Sequence, residues 1–320
     1  GRMNGLWVSR AIKRPEAPPL AFLVIMAILL GLTTPGFLAD ANLLSIVSQV
    51  SVVAIVSLAL NQVILSGEID VSVGSLLAAC AFTFATMAHV TSGLLLPLLA
   101  SVVVGGTVGM LNGAIVTVGR VPSIIATLGM LLGLRGVVLL LGANGILLVP
   151  NAARLLGLGT VLGVPVAIVF LLLVFAIFDI ANRHTEWGRD ILAVGSNRRA
   201  ADAVGLRAGF VKFRCFVAVG LACGLAGGIF AGQIGEIQAT AATGFELQAI
   251  AAVVLGGTSI TGGRGSTFAP VIGALLLGVI LNALTLNSVP GTFEQLVLGS
   301  LILAAISIDA VRFRALRRAS

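Results

Sequence analysis

Apolar runs follow one another along almost the whole chain, at 20–36, 43–65, 71–89, 94–118, 121–141, 161–180, 213–234, 247–260, 266–287 and 293–309, with short polar or glycine-rich breaks between them. Most are close to the roughly 20 residues that a helix needs to cross a bilayer. The pattern therefore predicts an all-α membrane protein of about ten transmembrane helices. The eighth run is short enough to be re-entrant, so length alone does not assign it. Charge does. Arg10, Lys13 and Arg14 precede the first run, the 183–214 segment carries seven Lys or Arg, and Arg312, Arg314, Arg317 and Arg318 close the chain. Positively charged flanks stay in the cytoplasm, so an even number of crossings separates each of these segments from the next. Six and then four satisfy that condition, whereas six and then three do not, and the eighth run must bring the chain back across.

Both termini are then cytoplasmic. The expected layout is a cytoplasmic segment at 1–19, a transmembrane domain at 20–311 that includes the cytoplasmic segment 183–214, and a basic tail at 312–320. Arg120 and Arg264 fall on the cytoplasmic side, and Asp40 and the 142–163 stretch with Arg154 on the other. Helices 1 to 5 and 6 to 10 would enter from opposite sides, as inverted repeats do, although the halves share no convincing sequence match.

Composition agrees with the pattern. With 58% hydrophobic residues, 10% charged and a mean hydropathy of +1.14, the solvent must be lipid. The 40 glycines suit close approach of helices that no hydrophobic effect drives together. A net charge of +7 raises the question of nucleic acid, but the basic residues flank apolar spans instead of forming a stripe, and topology accounts for them. Cys80, Cys215 and Cys223 lie inside apolar runs without CxxC spacing, and His89 and His184 are far apart, so neither a metal site nor a disulfide framework is expected. The first run follows a basic stretch and ends without a small-x-small cleavage pattern, so it reads as helix 1 and not as a cleaved signal.

Active transport needs an energy source, and a P-loop needs lysine after glycine in GxxxxGK[ST]. The two lysines, Lys13 and Lys212, follow Ile12 and Val211. The chain has no Walker A, and Gly262-Gly263-Arg264-Gly265-Ser266-Thr267 only imitates one. Either another subunit hydrolyses ATP or an ion gradient drives transport. The candidate translocation-path residues are Glu68 and Asp70, at a glycine-flanked break between two apolar runs, and the uncharged polar groups Asn61, Gln62, Asn112, Thr127, Gln248 and Asn282 within the runs. Polar groups at membrane depth face water or a partner. Glu68 and Asp70 either line the path or sit in a solvated turn, and each amide or hydroxyl either lines a wet cavity or bonds a neighbouring helix. As a set they suit a neutral, hydroxylated ligand. Structural partners are expected for Arg135 and Glu246.

Three stretches resemble the ribose-type monosaccharide permeases of bacterial ABC importers, and the likeness extends over almost the whole chain. Ser66-Gly67-Glu68-Ile69-Asp70-Val71-Ser72-Val73-Gly74-Ser75 is similar to the family's GGIDLSVGS pattern, with Glu68 where glycine is usual. Asn112-Gly113 and Val121-Pro122-Ser123-Ile124-Ile125-Ala126-Thr127-Leu128-Gly129 are similar to its NG and PxFIATLG elements. Gly195-Ser196-Asn197, Ala200-Ala201, Gly205, Thr243-Gly244-Phe245-Glu246-Leu247, Ala251-Ala252-Val253-Val254-Leu255-Gly256-Gly257-Thr258 and Gly262-Gly263-Arg264-Gly265-Ser266 complete the resemblance.

The resemblance implies a non-enzymatic permease subunit in a bacterial inner membrane. It would pair with an identical or paralogous permease and receive a pentose, hexose, deoxysugar or polyol from a periplasmic binding protein. A cytoplasmic ABC ATPase would drive it, and ATP and Mg would bind there; this chain would hold no cofactor. It further implies that Asn197, Arg198, Arg199, Ala200, Ala201 and Gly205 form a coupling helix docked on that ATPase. The run reads locally as a short helix closed by glycine, in a segment too basic and amphipathic to be buried; a loop attracted to anionic lipid is the other reading. Gly262, Gly263 and Arg264 form a glycine corner that is either a second cytoplasmic contact or a helix-packing turn. The alternatives carried forward are a branched-chain amino acid ABC permease, a stand-alone proton- or sodium-coupled carrier using Glu68 and Asp70, and a membrane scaffold.

Overall fold

The computed structural model describes residues 16–142 and 145–319. Arg10, Lys13 and Arg14 lie outside the described residues. The chain is dominated by helices: α1 (Ala17–Thr33), α2 (Asp40–Leu65), α3 (Val73–Val90), α4 (Leu95–Thr117), α5 (Ser123–Leu141), α6 (Asn151–Leu158), α7 (Val166–His184), α8 (Glu186–Ser196), α9 (Arg198–Ala203), α10 (Ala208–Ile234), α11 (Phe245–Leu255), α12 (Phe268–Leu286) and α13 (Thr292–Ala319). Four two-residue strands accompany them, β1 (Leu147–Leu148), β2 (Thr160–Val161), β3 (Val164–Pro165) and β4 (Glu236–Ile237). Among the described residues seven helices, α2 to α5, α7, α10 and α12, are long and apolar enough to cross a membrane, and α1, α11 and the first part of α13 are shorter apolar helices. This is a multi-pass membrane protein.

The long helices α2 and α10 form the centre. Residues 54–65 of α2 are all buried, as is most of α10; the two pack against each other, and α10 also packs against α3. Glycines set the closest contact, between α4 and α10. A methyl group on Gly220 would stand 2.2 Å from the Gly105 carbonyl oxygen, and one on Gly224 would stand 2.4 Å from Val102 Cα. The Ser101 hydroxyl fills that seam by donating to the Gly224 carbonyl at 2.7 Å and the Cys80 carbonyl at 3.1 Å. Backbones this close gain dispersion contacts that longer side chains would prevent. By contrast, α5 and α7 carry long exposed apolar faces, the surface expected of helices bathed in lipid or covered by another subunit.

Three boundaries differ from the apolar pattern. The sixth run was expected from 161, but the helix begins at Val166, because Leu162 (φ 51°) and Gly163 (φ 81°) turn the chain in a β2–β3 hairpin that ends at Pro165. The 142–163 stretch is not a plain loop. It holds α6, whose Ala153, Leu156 and Gly157 are buried, and β1, which pairs antiparallel with the distant β4. The eighth run is broken: α11 covers only 11 residues, about 16 Å of rise or half a bilayer core. The irregular stretch 235–244 leads into it. It starts beside Gln233, whose amide donates to the Ser48 carbonyl at 2.9 Å, and α11 ends near Thr258, whose hydroxyl donates to Asn61 Oδ1 at 2.7 Å. The Arg135 guanidinium donates to the Ala239 and Ala241 carbonyls at 3.3 and 2.8 Å. Irregular backbone at depth persists only with such partners.

Candidate functional site

Asp70 lies in the break 66–72 between α2 and α3 and is 1% exposed. Its Oδ1 accepts from the Ser72 amide at 2.8 Å and the Ser72 hydroxyl at 2.6 Å, and its Oδ2 faces Asn112 Nδ2 at 3.5 Å. The Asn112 amide also donates to the Ser72 hydroxyl oxygen at 2.9 Å. Two further backbone donors of the break find hydroxyls on α5: Ile69 N–H on Ser123 and Val71 N–H on Thr127, each at 3.2 Å. Asp70, Asn112 and Thr127 are thus joined in one buried lattice that holds the broken segment. Glu68 forms an ion pair with Lys212 of α10.

Asn61 and Gln62 spend their amides on the chain itself. Asn61 accepts from Thr258 and donates to the Ser266 carbonyl at 3.2 Å; Gln62 accepts from the Trp187 indole at 3.2 Å. These bonds tie the end of α2 to the 258–266 turn and to α8.

Gln248 and Asn282 lie elsewhere, on a cavity of about 280 Å³ between α2, α11, α12 and the start of α13. That volume is near the lower end of small-molecule pockets, roughly 300–1,000 Å³. Gln49, Thr285 and Glu294 share its wall with Ile46, Val50 and Leu277. Asn282 is fixed by a reciprocal amide pair with Asn42, at 2.8 and 3.1 Å, and Asn42 also donates to the Phe37 carbonyl at 2.8 Å. Gln49 donates to Ser45 at 2.9 Å. The Gln248 side chain makes no hydrogen bond among the described residues, which leaves its amide open to the cavity; its backbone N–H donates to the Gly244 carbonyl at 3.3 Å. Gln49 and Glu294 escaped the sequence reading: the first is one polar residue in an apolar helix, the second an acid beside a Pro-Gly turn, and only the fold brings them opposite Gln248.

The basic end of the molecule gathers the remaining candidates. Asn197 caps α9 by accepting from the Ala200 amide at 3.1 Å, and Gly205 closes it at φ 87°. Arg198, Arg199 and Ala200 are exposed, but Ala201 is 4% exposed and faces the chain. The 183–214 segment is also less solvated than expected. In α8, Ile191 and Val194 are buried, Asp190 pairs with Arg214 at 2.8 Å, and Arg214 sits 4.8 Å above the Trp187 ring. From Ala208 onward the segment already belongs to α10. The glycine corner lies against this platform: Gly263 N–H donates to the Leu65 carbonyl at 2.9 Å, and methyl groups on Gly195 and Gly263 would meet Leu65 and Ser196. Gly262, at φ 84°, stands next to Gly67. The 262–264 corner thus packs on the ends of α2 and α8, and Ser196, which it touches, immediately precedes the 197–205 region.

A family described as the permease component of the branched-chain amino acid transport system matches residues 42–306. The ribose import permease protein RbsC of Escherichia coli K12 is 38% identical over 296 residues, covering 91% of this chain and 92% of the relative. The chain belongs to the ribose-type permease family of ABC importers. The permease is also 33% identical to the L-arabinose ABC transporter permease protein AraH of Azospirillum brasilense, over 92% of this chain and 86% of the relative. It shares 33% identity with the D-allose transport system permease protein AlsC of E. coli K12, over 89% and 88%. No solved structure matches the permease.

Proposed function

We propose that the chain is the membrane-spanning permease subunit of an ABC importer for a small neutral sugar, with ten crossings and both termini in the cytoplasm of a bacterial inner membrane. Full-length likeness to ribose, arabinose and allose permeases carries this reading. The cavity wall supports a hydroxylated ligand over a zwitterion: Gln49, Gln248, Asn282 and Thr285 offer neutral donors and acceptors, and Glu294 is the single charge among the lining residues. A branched-chain amino acid would need a cationic partner for its carboxylate, which this wall lacks.

Glu68 and Asp70, considered above as ion carriers, are held by Lys212 and by Ser72 and Asn112, an arrangement suited to bracing a broken helix. A separate ATPase supplies the energy in this reading. It docks on the exposed residues of α9 and on the 262–264 corner beside them, and its closure moves the break at 66–72 through Leu65, Gly67 and the Lys212–Glu68 pair. A second permease subunit packs on α5, where Gly129, Gly133 and Gly136 have no neighbour within 4 Å, a spacing that lets two helices approach. A periplasmic binding protein delivers the sugar to the opposite end.

The test is ATP-driven uptake of labelled ribose, arabinose and allose into proteoliposomes holding the permease and its ATPase, with binding protein outside. Gln248→Ala should lower uptake about tenfold, the loss of one or two hydrogen bonds to substrate, while leaving ATPase association intact. Full uptake in that variant would remove the cavity from the path, and uptake of leucine but of no sugar would overturn the substrate class.

A further inference from the structure

A second cleft of about 220 Å³ opens at the basic end between the α4–α5 turn, the start of α9 and the first turn of α10. Its charged lining is Arg120, Arg198 and Lys212 against one acid, Glu68. Glu68 neutralises Lys212, and Arg198 has only a loose contact of 3.8 Å with Asp202. Arg120 has no ion pair or side-chain hydrogen bond among the described residues. It also sits at φ 54°, in the left-handed region that non-glycine residues rarely occupy, in the turn that carries its side chain to the cleft. Two positive charges thus remain without a full partner in a concave, polar pocket.

The surroundings indicate where a counter-charge would come from. Leu111 and Ile115 on α4 and Val118 just past its end, spaced four and three residues apart, are exposed at 50%, 37% and 81%, and Phe210 at the start of α10 at 62%. This apolar stripe ends two residues before Arg120, so the cleft lies where the exposed apolar surface meets the polar end of the molecule. A ligand there can place acyl chains on the stripe and an anion in the cleft.

We infer that the Arg120–Arg198 cleft binds a phosphate group, carried by an anionic phospholipid of the adjacent leaflet. Guanidinium forks match phosphate oxygens bidentately, and basic groups at this depth are drawn to anionic headgroups. Because Arg198 opens α9, the bound phosphate bridges the α4–α5 turn to the segment proposed to dock the ATPase.

The test is native mass spectrometry of the full chain in neutral detergent, titrated with phosphatidylglycerol or phosphatidylcholine. Wild type should retain phosphatidylglycerol about tenfold better than phosphatidylcholine, and Arg120→Ala with Arg198→Ala should bring that ratio close to one. Glu68→Gln should move it the other way, because it removes the one negative charge, and a generally damaged protein would not show that gain. Displacement of phosphatidylglycerol by millimolar inorganic phosphate, lost in the double variant, would assign the same chemistry to a soluble anion; no displacement would assign it to the lipid. An unchanged preference in the double variant would overturn the site.

Discussion

A carboxylate that is 1% exposed must be held by donors, and Asp70 is held by the Ser72 amide and hydroxyl and by Asn112. Removing the acceptor while leaving those donors buried costs more than the hydrogen bonds themselves. Asp70→Leu should therefore destabilise the purified permease by about 3 kcal/mol, read as a lower unfolding midpoint in detergent. Asp70→Asn, which keeps an acceptor oxygen, should lose less than half as much. Equal stability of Asp70→Leu and wild type would mean that the lattice is not structural.

Neighbouring alanines separate docking from folding in the same way. Ala200→Glu, on the exposed side of α9, should reduce ATPase association at least tenfold with no change in unfolding midpoint, whereas Ala201→Glu should lower the midpoint itself, because its site is buried. Pull-down and thermal unfolding of both variants check this. Sequence reading marked both residues for the same surface, since a six-residue helix does not reveal which side faces the protein. It also singled out Asp70, Asn112 and Thr127 as polar groups in apolar surroundings. That Asp70 meets Asn112 and that Val71 meets Thr127 was not legible, because these pairs are 42 and 56 residues apart in sequence.

At the scale of elements, the apolar pattern located most long helices to within a few residues, because a helix in lipid must be apolar over its length. It failed where backbone breaks at depth. Gly256-Gly257 marks the end of α11 at Leu255, but nothing in 247–260 states that Arg135 carries the carbonyls of the preceding stretch. Charge parity asks only that the chain return across, not that one helix do so, and the return itself belongs to the proposed topology.

Glycines make two predictions here. Gly220→Val should cost about 3 kcal/mol or more, since its side chain would collide with the α4 backbone, and the folded fraction recovered from membranes should fall. Gly133→Ile on the unpacked face of α5 should leave monomer stability unchanged and weaken permease pairing about tenfold, measured by light scattering of the detergent complex. Loss of the monomer's fold would return α5 to a purely intrachain role.

For the whole molecule, class and family were legible from hydropathy, charge and motif. The cavity was not legible, because Gln49, Gln248, Asn282 and Glu294 belong to four helices that only the fold brings together. The central claim is that this chain forms a path and that a separate polypeptide moves it. The most direct measurement is affinity purification of the tagged chain from gently solubilised native membranes, with mass spectrometry of the proteins that accompany it. The account predicts an ABC ATPase in stoichiometric amount, lost on Ala200→Glu. A chain recovered without any ATPase, and able by itself to accumulate sugar on a proton or sodium gradient, would contradict it.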